Sequence, residues 1–300
     1  MIAILHSRRI FATFKYDENE TVESGMAEII TSFSNSRIKM LAQLRRKGSR
    51  ADDSRILIDG VREVGRAVEA GVALGEIYFC ASLLSGEISA DQLKRLATPQ
   101  TDLVEVTEAV FEKIRYGDRT GGLVAVAQRP RRTLADLKLS DKPLVAVVES
   151  IGKPGNLGGI LRSADGAGIE AVFAVDSVID IYGPNVIRAS VASIFRIPVI
   201  ELTAADARGF LEERCIQMIA ASPCGQADYT QIDYCGGTAF IFGAEDRGLS
   251  DHWTRIQTAR VPMRGLGDSL NVSTTAALFF YEALRQRTTL VRPGPRGATG

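Results

Sequence analysis

The chain has 300 residues, 45% hydrophobic and 24% charged, and its 36 basic and 36 acidic residues cancel to no formal net charge. That describes a globular chain of about two domains at roughly 100–200 residues each, and it excludes a chain that holds nucleic acid by bulk charge alone. No run approaches the roughly 20 apolar residues of a membrane helix, and Arg8, Arg9 and Lys15 interrupt any signal-peptide core, so the expected location is cytoplasmic.

Residues 1–35 carry no motif and are set apart as an extension of unknown structure. Ile38, Leu41 and Leu44 at helical spacing predict a helix over Ser36–Lys47. From Arg55 the pattern alternates. Strands are expected at Ile56–Ile58, Glu76–Cys80, Leu103–Val106 and Leu123–Ala127. Helices are expected at Val61–Ala70, Ser89–Leu96 and Glu108–Arg115. Strands alternating with short helices make 36–129 a small α/β unit, and the polar, Pro-bearing stretch 130–143 is its linker.

A second α/β unit is expected over 144–290. It opens on Leu144–Val148, a continuous apolar run of the kind found in a parallel strand covered on both faces. A helix over Leu157–Ala167, a strand at Ala171–Val175 and a helix over Asn185–Phe195 follow. Next come strands at Val199–Leu202, Met218–Ala221 and Thr238–Phe242, with a helix over Ala204–Cys215 among them. The strand Arg260–Pro262 and a long helix over Val272–Arg287 close the unit. The Pro- and Gly-rich end, 291–300, reads as a disordered tail.

Cys80, Cys215, Cys224 and Cys235 show no Cys-x-x-Cys spacing, and neither His6 nor His252 completes a metal set. No metal is expected, and the cysteines read as reduced thiols. Two histidines leave little room for a Ser-His-Asp or Cys-His mechanism.

Chemistry concentrates in three blocks. The first is Lys153-Pro154-Gly155-Asn156-Leu157-Gly158-Gly159-Ile160-Leu161-Arg162, a glycine-bearing turn that opens a helix. Glycines there fit a ligand at a helix N-terminus. The spacing is not Gly-x-Gly-x-x-Gly, so a dinucleotide-dependent oxidoreductase is the weaker reading. The second block is Phe242-Gly243-Ala244-Glu245-Asp246-Arg247-Gly248-Leu249-Ser250. The third joins Val261-Pro262-Met263 to Ser269-Leu270-Asn271-Val272-Ser273 and Tyr281-Glu282. Ser269 and Asn271 also suit helix capping, and a salt bridge to Asp165 is the plain reading of Arg162.

Together and in this order the blocks resemble the three signature motifs of the SpoU family of RNA ribose 2′-O-methyltransferases, within the knotted SPOUT superfamily. Gly159 departs from the alanine more usual there. The resemblance implies an α/β domain closed by a trefoil knot, S-adenosylmethionine as cofactor, and a homodimer with its active sites near the interface. It implies Phe242, Gly243, Ala244, Gly248, Val261, Met263, Leu270 and Asn271 as cofactor contacts. Arg162, Asn156, Glu245, Ser269 and Asn271 are the implied catalytic set. A guanidinium holds its proton in proteins, so Arg162 is expected to bind RNA phosphate and stabilise alkoxide charge, its literal use as a base staying open. Asn156 is expected to orient the ribose or Arg162, and Glu245 to brace its loop or Asn271.

The first unit, ending in Tyr116-Gly117-Asp118-Arg119-Thr120-Gly121-Gly122, resembles the ribosomal-protein-like RNA-binding domain of rRNA-modifying members. The expected substrate is rRNA, with tRNA or a non-catalytic RNA-binding role on the same fold as alternatives. The basic run Arg45, Arg46, Lys47 and Arg50 reads either as a solvated helix face or as a track for RNA phosphates.

Overall fold

The computed structural model describes residues 29–47, 54–84, 88–116 and 121–290. The first unit contains α1 (Ser36–Lys47), β1 (Arg55–Asp59), α2 (Val61–Glu69), β2 (Leu74–Phe79), α3 (Ala81–Leu84), α4 (Ala90–Leu96), β3 (Asp102–Glu105), α5 (Glu108–Ile114) and β4 (Leu123–Gln128). Its sheet runs β1-β4-β2-β3 and is mixed, β2 and β3 parallel and the other pairs antiparallel. Ile30 forms a bridge to Val106, which ties the segment from residue 29 onto this sheet rather than leaving it apart. Ile38, Leu41 and Leu44 bury one stripe of α1 against Tyr78, Phe111 and Ile114, as a 3.6-residue period requires.

The second unit contains β5 (Leu144–Glu149), α6 (Pro154–Ala167), β6 (Ala171–Val175), α7 (Pro184–Ala189), α8 (Ser193–Arg196), β7 (Val199–Leu202), α9 (Ala204–Glu213), β8 (Gln217–Ala221), β9 (Ala227–Asp228), β10 (Thr238–Phe242), β11 (Gln257–Arg260) and α10 (Val272–Leu290). All seven strands are parallel, in the order β7-β6-β5-β10-β8-β11-β9. Every residue of β5, β6 and β10 is buried, as expected of strands covered by helices on both faces.

Four corrections to the expected elements have local causes. The helix expected over Asn185–Phe195 is two, α7 and α8, because Val191 and Ala192 take φ of 52° and 64° and turn the chain between them. α6 starts at Pro154, three residues early, since proline is tolerated in a first helical turn. α9 ends at Glu213, and Cys215 lies beyond it at φ 51°. β11 lies at Gln257–Arg260, before Pro262, whose missing N–H cannot serve a ladder.

β10 lies between β5 and β8, while β11 pairs on the far side of β8. The chain therefore leaves β10, passes β8, and returns to lay α10 against α6 and β10. Phe240 and Phe242 of β10 meet Phe279 and Phe280 of α10 at centroid separations of 5.6–6.1 Å. All four rings are at most 1% exposed, each worth about 1.5–3 kcal/mol of transfer free energy. The helix end is fixed by Arg287, which donates to the carbonyls of Tyr234, Lys142 and Gly236 at 2.9, 2.8 and 2.5 Å.

The two units pack together. Arg66 donates to the Val191 carbonyl at 2.7 Å, Asn185 to the Tyr116 hydroxyl at 2.8 Å, and Arg129 bridges Asp180 and Glu201 at 2.7 and 2.9 Å. Asp59, at the end of β1, accepts from the Tyr116 amide in this seam.

Candidate functional site

In an open parallel sheet, ligands bind beyond the carboxyl ends of strands where the strand order reverses. Here that switch point lies between β5, which leads outward to β6 and β7, and β10, which leads toward β8 and β11. The loop after β5 leads into α6, whose first turn carries Asn156. The loop after β10 carries Gly243–Ser250. The segment 261–271 enters α10 at the same edge.

Three residues far apart in sequence meet there. Asn156, 8% exposed, donates its amide to Glu245. Its carbonyl oxygen accepts from Asn271 Nδ2 at 3.0 Å. Asn271 Oδ1 accepts from the Ser273 amide at 2.9 Å and from Ser273 Oγ at 2.6 Å, so the same side chain caps α10. The result is one chain of polar groups, Glu245–Asn156–Asn271–Ser273, that joins all three blocks. Both ends of the Asn156 amide are engaged, so it acts as a brace. Glu245 bonds to Asn156 rather than to Asn271.

The loop after β10 folds onto itself. Gly248 donates to the Ala244 carbonyl at 2.9 Å and sits at φ 69°, where only a residue without Cβ is unstrained. A Cβ on Gly243 would stand 2.8 Å from the Leu249 amide nitrogen, so the backbone strands of this loop touch directly. At its far end Glu149, the last residue of β5, accepts from the Ser250 amide at 2.8 Å, Ser250 Oγ at 2.7 Å and Trp253 Nε1 at 3.0 Å. Glu149 lies outside the three blocks, so a reading of the sequence that looks only at motif positions misses it. The signal for Glu149 was a carboxylate closing an otherwise apolar strand.

Arg162 is exposed on α6 and has no hydrogen-bond or ion-pair partner among the described residues. The salt bridge to Asp165 does not form: Asp165 instead accepts from Ser193 Oγ at 3.0 Å and faces Arg196 at 3.6 Å. Ser269 is exposed, Val261 and Leu270 are half-buried, and Met263 is 38% exposed. Phe242 is fully inside the core, so its ring is closed to a ligand. Gly159 lies against Ser273: a Cβ there would come 3.0 Å from Ser273 Oγ, which gives the departure from alanine a packing reason.

Of the basic run, only the Arg45 side chain falls among the described residues. Arg45 is exposed and donates to the Lys113 carbonyl at 2.9 Å on the first unit. The side chains of Arg46 and Lys47, and all of Arg50, lie outside the described residues, as do Gly117–Thr120 and the tail 291–300. The four cysteines are free. Among the described residues there is no metal-holding group of His, Cys, Asp or Glu, and no helix is long and apolar enough to cross a membrane.

Residues 143–281 match the SpoU rRNA Methylase family, and residues 35–125 match the MRM3-like substrate binding domain. The 23S rRNA (guanosine-2′-O-)-methyltransferase RlmB of Ralstonia nicotianae is 30% identical over 244 residues, 78% of this chain and 97% of that protein. The chain belongs to the SpoU rRNA methylase family. Another relative, the 23S rRNA (uridine(2479)-2′-O)-methyltransferase of Streptomyces viridochromogenes, is 27% identical over 251 residues, 81% of this chain and 86% of its own. Among solved structures, the SpoU methyltransferase AviRb from Streptomyces viridochromogenes in complex with AdoMet superposes with a TM-score of 0.77. It is 26% identical, and the match covers 85% of this chain and 99% of that one. The expected α/β class with a parallel catalytic sheet holds.

The residues present fit a nucleoside cofactor at this edge. A loop of touching backbone offers amides and carbonyls, and Val261, Met263 and Leu270 add partly exposed apolar side chains on the segment that enters α10. Such a site reads a flat polar ligand through the main chain, with few side chains committed to it.

Proposed function

We propose that the chain transfers a methyl group from S-adenosylmethionine to a ribose 2′-hydroxyl of 23S rRNA. The observation that carries this is the chain Glu245–Asn156–Asn271–Ser273, which draws the family's three blocks together, with Arg162 exposed on the same helix as Asn156 and unpaired among the described residues. Full-length relatives that act on 23S rRNA support the substrate class. The solved complex with AdoMet supports the cofactor.

When bound, S-adenosylmethionine supplies an electrophilic methyl group on a sulfonium. The tasks left to the protein are positioning and charge. The Gly243–Gly248 loop, with Phe242 through its backbone and Ala244, Val261, Met263, Leu270 and Asn271, holds the nucleoside. Arg162 binds the phosphate next to the target ribose and stabilises the oxygen as its proton leaves. Asn156 and Glu245 fix the first turn of α6, the helix that carries Arg162 further along, and Ser269 faces the ribose. The 2′-hydroxyl is what makes RNA the substrate, and an unpaired nucleotide presents it most easily. The first unit docks the RNA, with Arg45, Arg46, Lys47 and Arg50 contributing backbone contacts. The return of the chain from β11 to α10 closes a trefoil knot, two copies associate through the catalytic unit, and the protein works on ribosomal RNA in the cytoplasm.

A thermal-shift panel tests the cofactor. S-adenosylmethionine and its demethylated product raise the melting temperature, and NAD does not. Stabilisation by NAD alone would overturn the reading.

A further inference from the structure

Glu149 is 3% exposed, and it has no ion pair among the described residues. A buried carboxylate is costly unless it is fully hydrogen-bonded, and here three neutral donors converge on it. The site for such a carboxylate is chosen by the fold. β5 and β10 run parallel with Val148 opposite Phe242, so Glu149 stands one residue beyond the last pair, at the switch point itself.

Two of its donors belong to Ser250 and the third to Trp253, so all three lie at the far end of the loop after β10. The near end is held by the Ala244–Gly248 pair and by Glu245 on Asn156. Glu149 is therefore a separate attachment, and it reaches the loop without passing through the polar chain or Arg162. We propose that Glu149 is a positioning residue for the cofactor: through Ser250 and Trp253 it holds the Gly243–Ser250 loop where its backbone meets S-adenosylmethionine. This rests on the assignment of that cofactor to this loop.

The role separates from plain stabilisation in the cofactor's dissociation constant. Glu149→Gln sets an amide NH₂ against one of the three donors, so at least one loses its acceptor. Removing a hydrogen bond to a charged acceptor is worth about tenfold. Calorimetric titration well below the melting temperature is expected to show a Kd for S-adenosylmethionine raised about tenfold or more, with kcat at saturation within about threefold of wild type. Trp253 is the chain's single tryptophan, so its emission reports directly whether the contact has changed. Shifted emission with a wild-type Kd overturns the proposal and leaves the proposed function standing. A wild-type protein that binds no S-adenosylmethionine overturns both. Should Glu149→Gln not fold, Ser250→Ala removes the Oγ bond alone. It is then expected to raise Kd about threefold at unchanged kcat, and an unchanged Kd overturns the proposal.

Discussion

Among the glycines of α6, Gly158 leaves the least room for a side chain. It is buried on α6, two residues past Asn156, and α7 crosses it at van der Waals contact. A Cβ at Gly158 would lie 2.8 Å from both the Ala189 carbonyl carbon and the Ser190 nitrogen. Both atoms are backbone, so no rotamer change relieves the clash. Nor is the α7 end free to yield. Ser190 is fully buried with Oγ bonded to the Ile187 carbonyl at 3.0 Å, and the next two residues are locked at positive φ. Gly158→Ala must push α6 and α7 apart by several tenths of an ångström or more. Overpacking of this kind costs about 1–3 kcal/mol, and the better helix propensity of alanine returns about 0.5–1 kcal/mol. At mid-range the net loss is a little over 1 kcal/mol, within limits of about 0–2.5 kcal/mol, and the mid-range value is a fall in Tm of roughly 2–5 °C for a unit of this size. Gly155, on the same helix with nothing within 4 Å of its Cβ position, is the matched control. Gly155→Ala is expected to leave Tm unchanged or slightly raised. Differential scanning calorimetry of the two variants decides the matter. A Gly158→Ala protein that melts with or above Gly155→Ala would refute the packing argument.

Two further outcomes follow from the geometry. Burial pushes the Asp59 carboxyl up to about 6 from 3.8, outweighing the Tyr116 amide and the nearby Arg188, which pull it down. The folded state thus binds this proton more tightly than the unfolded state. The stabilisation that proton confers is complete below about pH 4 and is lost as pH rises through about 6. Asp59→Asn is expected to stabilise the protein at pH 8, by at most about 3 kcal/mol, and to have little effect at pH 4; urea titrations showing no gain at pH 8 would contradict this. Asn271→Asp keeps an oxygen that caps α10 but removes the donor to Asn156 Oδ1. Its Tm is expected within about 2 °C of wild type, because Asp caps as well as Asn. The single-turnover methyl-transfer rate is expected to fall about tenfold or more, and an unchanged rate would remove the polar chain from the mechanism.

Much of this was legible because local chemistry and fold agree. The apolar run Leu144–Val148 reads as a covered parallel strand and is one. Ser36–Lys47 shows its buried stripe at helical spacing and folds as predicted. The failures fall where the backbone departs from what side chains advertise. Nothing in Val191-Ala192 announces two residues at positive φ, so one helix was expected where two exist. Gly155 reads as loop, yet it lies inside α6. At the site, the three blocks are visible one at a time, but their pairing is not. Asn156 is 89 residues from Glu245 and 115 from Asn271, and no spacing rule connects them. Arg162 with Asp165 satisfied a spacing rule and still did not pair, because Ser193 and Arg196 reach Asp165 from α8. Glu149 draws its importance from Ser250 and Trp253, residues visible as its partners only in three dimensions.

The central claim is most directly tested by incubating the protein and Arg162→Ala with methyl-labelled S-adenosylmethionine and total RNA, then digesting the RNA to nucleosides. The account predicts label in a 2′-O-methylated nucleoside at one position of 23S rRNA. With Arg162→Ala it predicts transfer reduced about 10²-fold or more while cofactor binding persists. Label on a base rather than a ribose, or near-normal turnover by Arg162→Ala, would contradict it. Label in tRNA would keep the reaction and overturn the substrate.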